Sequence, residues 1–269
     1  MIEQILYGIL FSGLIALIAY RKRSLTGSGA IAAVFVGTNI YAFGSVLWYG
    51  LLLVFFISSS LLSHLKKKKK ARVEEDRFAK TGRRDAVQVL ANGGLGTVLV
   101  WMAAAGTDPA PYLALYIGVM ATVNADTWGT EVGVLSRGNP RHILTGKKVE
   151  KGTSGGLSVW GTTGTALGAL CIGVFAAVFL WLLGDGWSAK WIYIGLLSGF
   201  IGALLDSLLG ATVQRMYSCT VCGYETEKTH HCQLPAVKKR GLSWCNNDIV
   251  NLLSSVGGGL IAWVCWLLI

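Results

Sequence analysis

A chain of 269 residues that is 53% apolar and only 14% charged departs from soluble globular domains, where about a quarter of residues are charged. Its long apolar runs place it among polytopic membrane proteins. The formal net charge of +10 does not call for nucleic acid as a partner, because the cations cluster at the ends of apolar runs, where membrane topology accounts for them.

Eight hydrophobic segments are predicted, over 4–20, 27–44, 45–64, 87–105, 111–134, 156–183, 190–212 and 248–268. Each has about the length a helix needs to cross a ~30 Å hydrocarbon core. Arg21, Lys22 and Arg23 follow the first segment. A signal peptide carries its charge before the apolar run, so 4–20 reads as a retained span. Only Phe43 to Ser45 separates the second segment from the third, and Thr107-Asp108-Pro109-Ala110 turns the chain between the fourth and fifth. The predicted class is therefore an all-α polytopic bundle forming a single integral membrane domain over 1–269.

Loop 21–26 holds three Lys or Arg, loop 65–86 ten, loop 135–155 five and loop 213–247 five. These are 23 of the 24 such residues, with Lys190 the exception, and they occupy alternate loops. The positive-inside rule then predicts four cytoplasmic loops and two external termini in the cell membrane. The run Lys66 to Lys70 reads as an orientation signal and an attraction to anionic headgroups.

Carboxylates inside apolar segments are costly and tend to mark function. Asp126 and Glu131 fall in the last turns of the fifth segment, and Asp206 in the last turns of the seventh. Asp248 opens the eighth, after Asn246 and Asn247 and before Asn251. Asp85 opens the fourth, after Arg83 and Arg84, with Gln88 and Asn92 following at helical spacing. All lie at the predicted cytoplasmic ends. Transporter sites favour the midplane, so the pattern points to chemistry on a substrate reached from the cytosol and inner leaflet. For Asp85 and Asp248 a helix cap or an interhelical hydrogen bond is an equal reading; Asp126 and Asp206, deeper in their segments, read as functional.

The stretch 124–156 concentrates these parts: Asn124, Asp126 and Glu131, then Lys147, Lys148 and Lys151, then Gly152-Thr153-Ser154-Gly155-Gly156 before the sixth segment. Carboxylates, cations and a glycine turn leading into a helix N-terminus suit a metal and phosphates. The order Gly-Lys-Ser/Thr of a Walker A loop is absent. A short internal repeat is visible. Gly93-Gly94-Leu95 and Gly155-Gly156-Leu157 enter two helix pairs, which return with Asp126-Thr127 and Asp206-Ser207. In loop 213–247, Cys219, Cys222, His231 and Cys232, with Cys245 as a substitute for one, have the character of a structural zinc set; ordinary reduced cysteines are the other reading.

The blocks RRDAVQVLANGG (83–94), NADTWGTEVG (124–133), TGKKVEKGTSGG (145–156), DSLLGATVQ (206–214) and NNDIVN (246–251) together resemble domain-of-unknown-function family ninety-two, also called the transmembrane protein nineteen family. That family includes the phytyl-phosphate kinase of plants and cyanobacteria. The middle stretch is also similar in layout to dolichol kinase, phytol kinase and phosphatidate cytidylyltransferase, several of which use CTP with a divalent metal. The resemblance implies phosphoryl transfer from a nucleoside triphosphate to an isoprenyl monophosphate in the bilayer. On that reading Asp126 and Asp206 hold Mg²⁺ with Glu131 assisting. Lys147, Lys148, Lys151 and the turn Gly152, Thr153, Ser154, Gly155 hold the triphosphate. Arg83 and Arg84 hold the acceptor phosphate, and Asn92, Asn124, Asn247 and Asp248 complete the surroundings. A CTP-dependent cytidylyltransferase, an isoprenol kinase and a non-enzymatic lipid or solute transporter are the alternatives.

Overall fold

A computed structural model describes residues 1–65, 73, 77–80 and 82–269. Among the described residues the long elements are α1 (Ile2–Arg21), α2 (Gly27–Gly44), α3 (Val46–His64), α4 (Ala86–Ala105), α5 (Ala110–Val134), α6 (Val159–Leu182), α7 (Lys190–Thr212) and α8 (Asn247–Leu268). These are the predicted segments, with small shifts at the ends. Ser45 alone, at φ 117°, separates α2 from α3. The reading of Lys66 to Lys70 lies outside the described residues.

Seven of the helices are long and apolar enough to cross a membrane on their own composition; α5 is the one that is not. Its sequence carries Asn124, Asp126 and Glu131. It is nonetheless the innermost helix. Leu113, Ala114 and every residue from Tyr116 to Ala125 are buried, and α5 packs against α3, α4, α6, α7 and α8. Its polar groups face protein rather than lipid, which is how a membrane helix tolerates them. Small residues on the neighbours permit this density. A Cβ added at Gly202 of α7 would lie 2.2 Å from Thr122 Oγ1.

The helix ends differ between the two faces of the bundle. On the cation-rich face the first turns of α2, α4, α6 and α8 are capped by side chains of Thr26, Asp85, Ser158 and Asn246. At the opposite face, α1, α3, α5 and α7 begin without a side-chain cap. Capping oxygens satisfy the free N–H groups of a first turn. Asp85 forms a full capping box with Gln88.

The loops on the capped face are folded. Strands β1 (Arg141–His142) and β2 (Gly156–Leu157) pair antiparallel ahead of α6. The stretch after α7 forms β3 (Met216–Ser218), β4 (Glu225–Thr226), β5 (His230–His231), β6 (Leu234–Pro235) and β7 (Val237–Arg240). They make a three-stranded sheet in the order β4-β3-β7 and a β5-β6 hairpin. The internal repeat is only half realised. Asp126 and Asp206 do sit alike near the ends of α5 and α7, but Gly93-Gly94 lies inside α4 whereas Gly155-Gly156 precedes the Ser158 cap of α6.

Candidate active site

The helix ends of the capped face surround a cavity of about 500 Å³. Asp126 from α5 and Asp206 from α7 both line it, and Asp206 lies within electrostatic reach of the Asp126 charge. Ser254 Oγ of α8 donates to Asp206 Oδ2 at 2.9 Å. Among the described residues neither carboxylate forms a salt bridge. A half-buried acid and a buried one within electrostatic reach of each other, without a cation, are costly, and a divalent ion would relieve that cost. Two more acceptors stand nearby. The buried oxygens Asn92 Oδ1 and Asn251 Oδ1 belong to cavity-lining residues and have no hydrogen-bond partner among the described residues.

The basic side of the cavity is built on the segment leading into α4. The backbone of Arg84 is held between Ser24 and Thr26: its N–H donates to Ser24 O at 2.9 Å, and its carbonyl accepts from Thr26 N–H at 3.0 Å. The N-terminus of α2 approaches so closely that a Cβ at Gly29 would fall 2.1 Å from Arg84 O. This clamp fixes the guanidinium, which donates to Ser60 Oγ at 3.3 Å and lies over Phe55 and Phe56. Burial lowers the Arg84 pKa, and the nearby Glu131 carboxylate opposes that shift. Glu131 itself accepts from Ser63 Oγ. Arg83 also lines the cavity and lies over the Tyr20 ring at 5.7 Å.

Lys80 and Glu227 join the site without having been singled out by sequence. Lys80 Nζ lies 2.6 Å from Asp248 Oδ2 and 3.0 Å from Asp85 Oδ2. Burial acts to lower the Lys80 pKa, but hydrogen bonds to Asp248 and Asp85 outweigh it and raise the value. Burial would raise the Asp85 pKa, but the Gln88 N–H and Lys80 hold it below the ordinary value. Glu227 is raised by burial, although it accepts from Ala79 N–H at 3.1 Å and from Gln214 Nε2 at 2.8 Å. An acidic residue in a strongly basic loop was the signal available for Glu227.

Lys151 and Gly152 to Gly156 line the opposite wall. The Lys151 ammonium donates to Ser136 O. Ser154 Oγ donates to Gln214 Oε1 at 2.8 Å. The glycine turn is not itself the start of α6, as its sequence position suggested. Strand β2 and the Ser158 cap intervene, and the turn leans on α7 instead. Gly155 has φ +80°, and a Cβ there would meet Ala211 Cβ at 2.5 Å. Asn247 and Asp248 line the cavity from the first turn of α8.

Three expectations require correction. Asn124 is fully buried outside the cavity lining. Its amide donates to Gly168 O at 2.8 Å, and its oxygen accepts from Ser58 and Ser59, so it ties α5 to α6 and α3. Lys147 and Lys148 are exposed and outside the lining, because β1 and its bridge to Lys148 turn them away.

A second, apolar cleft lies among α1, α2, α3 and α4, lined by residues such as Ala16, Val36, Leu52 and Phe56. It shares Arg84 and Asn92 with the polar cavity. The two spaces thus meet where a half-buried cation stands. Apart from both, Cys219, Cys222, His231 and Cys232 converge in the β3–β6 region, while the buried Cys245 does not join them.

The family described as integral membrane protein DUF92 matches residues 10–259. The chain is 36% identical to Protein PGR of Arabidopsis thaliana, over 93% of this chain and 92% of that protein. It is 32% identical to an uncharacterised membrane protein of Methanocaldococcus jannaschii, over 96% of this chain and 92% of that protein. It is 26% identical to Protein VTE6, chloroplastic, of Arabidopsis thaliana, over 88% of this chain and 64% of that protein. No solved structure matches.

Proposed function

The chain belongs to the integral membrane protein family DUF92, and from that premise we propose that it is a membrane phosphotransferase acting on an isoprenyl monophosphate. The phosphoryl donor is a nucleoside triphosphate, with CTP the first candidate, and the product is the isoprenyl diphosphate. The observation that carries this reading is the junction of two spaces. A polar cavity lined by two carboxylates and several cations meets an apolar cleft at Arg84 and Asn92. An amphipathic lipid phosphate has that division of polarity.

Phosphoryl transfer depends mainly on positioning and charge neutralisation. Asp126 and Asp206 would hold Mg²⁺, whose role is to neutralise charge on the transferring phosphates. Glu131, beside Ser63 and Arg84, positions that arginine rather than serving as a principal metal ligand. Arg84 and Arg83 hold the acceptor phosphate at the mouth of the apolar cleft. The cleft takes the start of the hydrocarbon chain and excludes water from it. Lys151 and the turn 152–155 hold the donor phosphates. An oxygen of the acceptor monophosphate attacks the γ-phosphorus, and the bond between that phosphorus and the bridging β,γ-oxygen breaks, releasing the nucleoside diphosphate. No strong base is needed, because the attacking oxygen is already anionic. The cation-rich loops support a cytoplasmic site for this chemistry under the positive-inside rule.

The test is incubation of purified protein and Mg²⁺ with farnesyl, geranylgeranyl and phytyl phosphates and each common nucleotide, with mass detection of products. A diphosphate carrying label from the γ position supports the kinase. A nucleotidyl lipid labelled from the α position replaces it with a cytidylyltransferase, and acceptors left unchanged under every condition refute it.

A further inference from the structure

We propose that Cys219, Cys222, His231 and Cys232 bind one zinc ion, and that this ion fastens the loop that brings Glu227 to the cavity. The inference rests on the fold of the loop and stands apart from the kinase reading.

The ligand geometry is already assembled. One ligand atom from each of the four residues lies within 4.8 Å of the others. Cys222 Sγ is 3.9 Å from Cys232 Sγ and 3.5 Å from His231 Nδ1, and Cys232 Sγ is 3.2 Å from His231 Nδ1. With Zn–S near 2.3 Å and Zn–N near 2.0–2.1 Å, a tetrahedral site has S···S edges of about 3.8 Å and S···N edges of about 3.6 Å. The edges observed fall around those lengths. Three sulfurs and one imidazole form a Cys₃His set, which suits structural zinc.

The backbone is shaped to present these atoms. Cys219 and Cys222, with two residues between them, stand on a tight knuckle: Gly223 N–H donates to Cys219 O at 3.0 Å, and Cys219 N–H donates to Tyr224 O at 2.9 Å. Gly223 has φ +73°, the conformation that glycine adopts freely. Val221 N–H points at Cys219 Sγ, 3.4 Å away, an arrangement that favours a thiolate. The other pair sits on the β5-β6 hairpin, where His231 is paired with Leu234, leaving a two-residue turn. Both turn residues, Cys232 and Gln233, have positive φ, at 50° and 63°. Asn and Gly normally fill such turns. A cysteine held in that conformation, with its sulfur facing two other ligands, is a local cost that metal binding would offset.

The knuckle is wired to the cavity through Arg77. Tyr224, next to Gly223, lies under the Arg77 guanidinium at 4.4 Å. Arg77 Nη1 donates to Glu225 O at 2.7 Å, and its other end pairs with Glu150, beside Lys151. In return Arg77 O accepts from Glu227 N–H at 2.9 Å and from Thr226 Oγ1 at 3.0 Å. Two strands and one buried arginine therefore join the metal cluster, Glu227 and the segment that leads into the glycine turn.

The experiment is elemental analysis of the full chain, purified in detergent under reducing conditions without added chelator, beside Cys222→Ser/Cys232→Ser and Cys245→Ser variants. The expected result is one zinc per chain in the parent and in Cys245→Ser, with zinc at background in the double variant. Cobalt exchanged into the parent protein should give the intense visible absorption of tetrahedral thiolate coordination, a readout independent of whether the double variant folds. The coupling to the cavity is read by hydrogen exchange: chelation of the parent should lose protection at 225–227 while the core of α5 keeps its own. A parent chain without zinc or cobalt absorption, a Cys222–Cys232 disulfide in the reduced preparation, or zinc retained by the double variant overturns the site. Unchanged protection at 225–227 after metal loss overturns its fastening role.

Discussion

Asp126 and Asp206 come from helices well separated in sequence, and each is anchored by the packing of its own helix. On the proposed function they hold one ion between them, so replacing either should remove it without disturbing the bundle. Asp126→Asn and Asp206→Asn are expected to lower phosphotransfer by about a hundredfold or more, a loss of several kcal/mol of transition-state stabilisation, with the detergent melting temperature unchanged or raised. Glu227 yields a prediction in pH. Its folded pKa is raised by burial, so its contribution to stability is full below the ordinary carboxylate value and is lost as pH rises through the raised one. Glu227→Gln should therefore flatten the fall of melting temperature as pH is raised from the ordinary carboxylate range toward neutrality; an unchanged slope would refute the assignment. At this scale the sequence displayed the acids well, because a carboxylate in an apolar run is conspicuous. It displayed Asn124, Lys147 and Lys148 misleadingly. Spacing along a chain does not reveal that Asn124 faces α3 and α6, or that β1 turns the two lysines outward. Gln214 and Glu227 reach the cavity only through the folding of the Cys/His loop.

Among the elements, the turn 152–155 has the least room to change. Gly155 combines a positive φ with a backbone pressed on α7. Gly155→Ala should cost about 1–3 kcal/mol from strain and overpacking, and it should shift Ser154 away from Gln214. A several-degree drop in melting temperature, with weaker nucleotide binding than in Asp126→Asn, would fit; an unperturbed variant would not. The helices themselves were legible as apolar runs, down to the narrow break at Ser45. The start of α6 was not, because Gly156 and Leu157 are compatible with a span yet are taken by β2. The glycine pairs suggested matching hairpins for the same reason: a repeated triplet does not say whether it lies inside a helix or ahead of its cap.

For the whole molecule, the alternation of cations between loops predicts which face meets the cytosol. Tags at either terminus should be labelled by impermeant reagents on intact cells, and labelling only after permeabilisation would reverse the orientation and move the site to the outer face. The arrangement of α5 has a consequence for biogenesis. The helix at the centre of the bundle is the one whose composition gives it the weakest claim on the bilayer. During synthesis it emerges before α6, α7 and α8, the partners that cover most of its surface. It must therefore wait at the translocon or against α3 and α4 until those helices arrive. A chain truncated in loop 135–155 should leave α5 incompletely inserted, with glycosylation acceptors placed on either flank of it each modified in only a fraction of chains, whereas the full chain gives a single pattern.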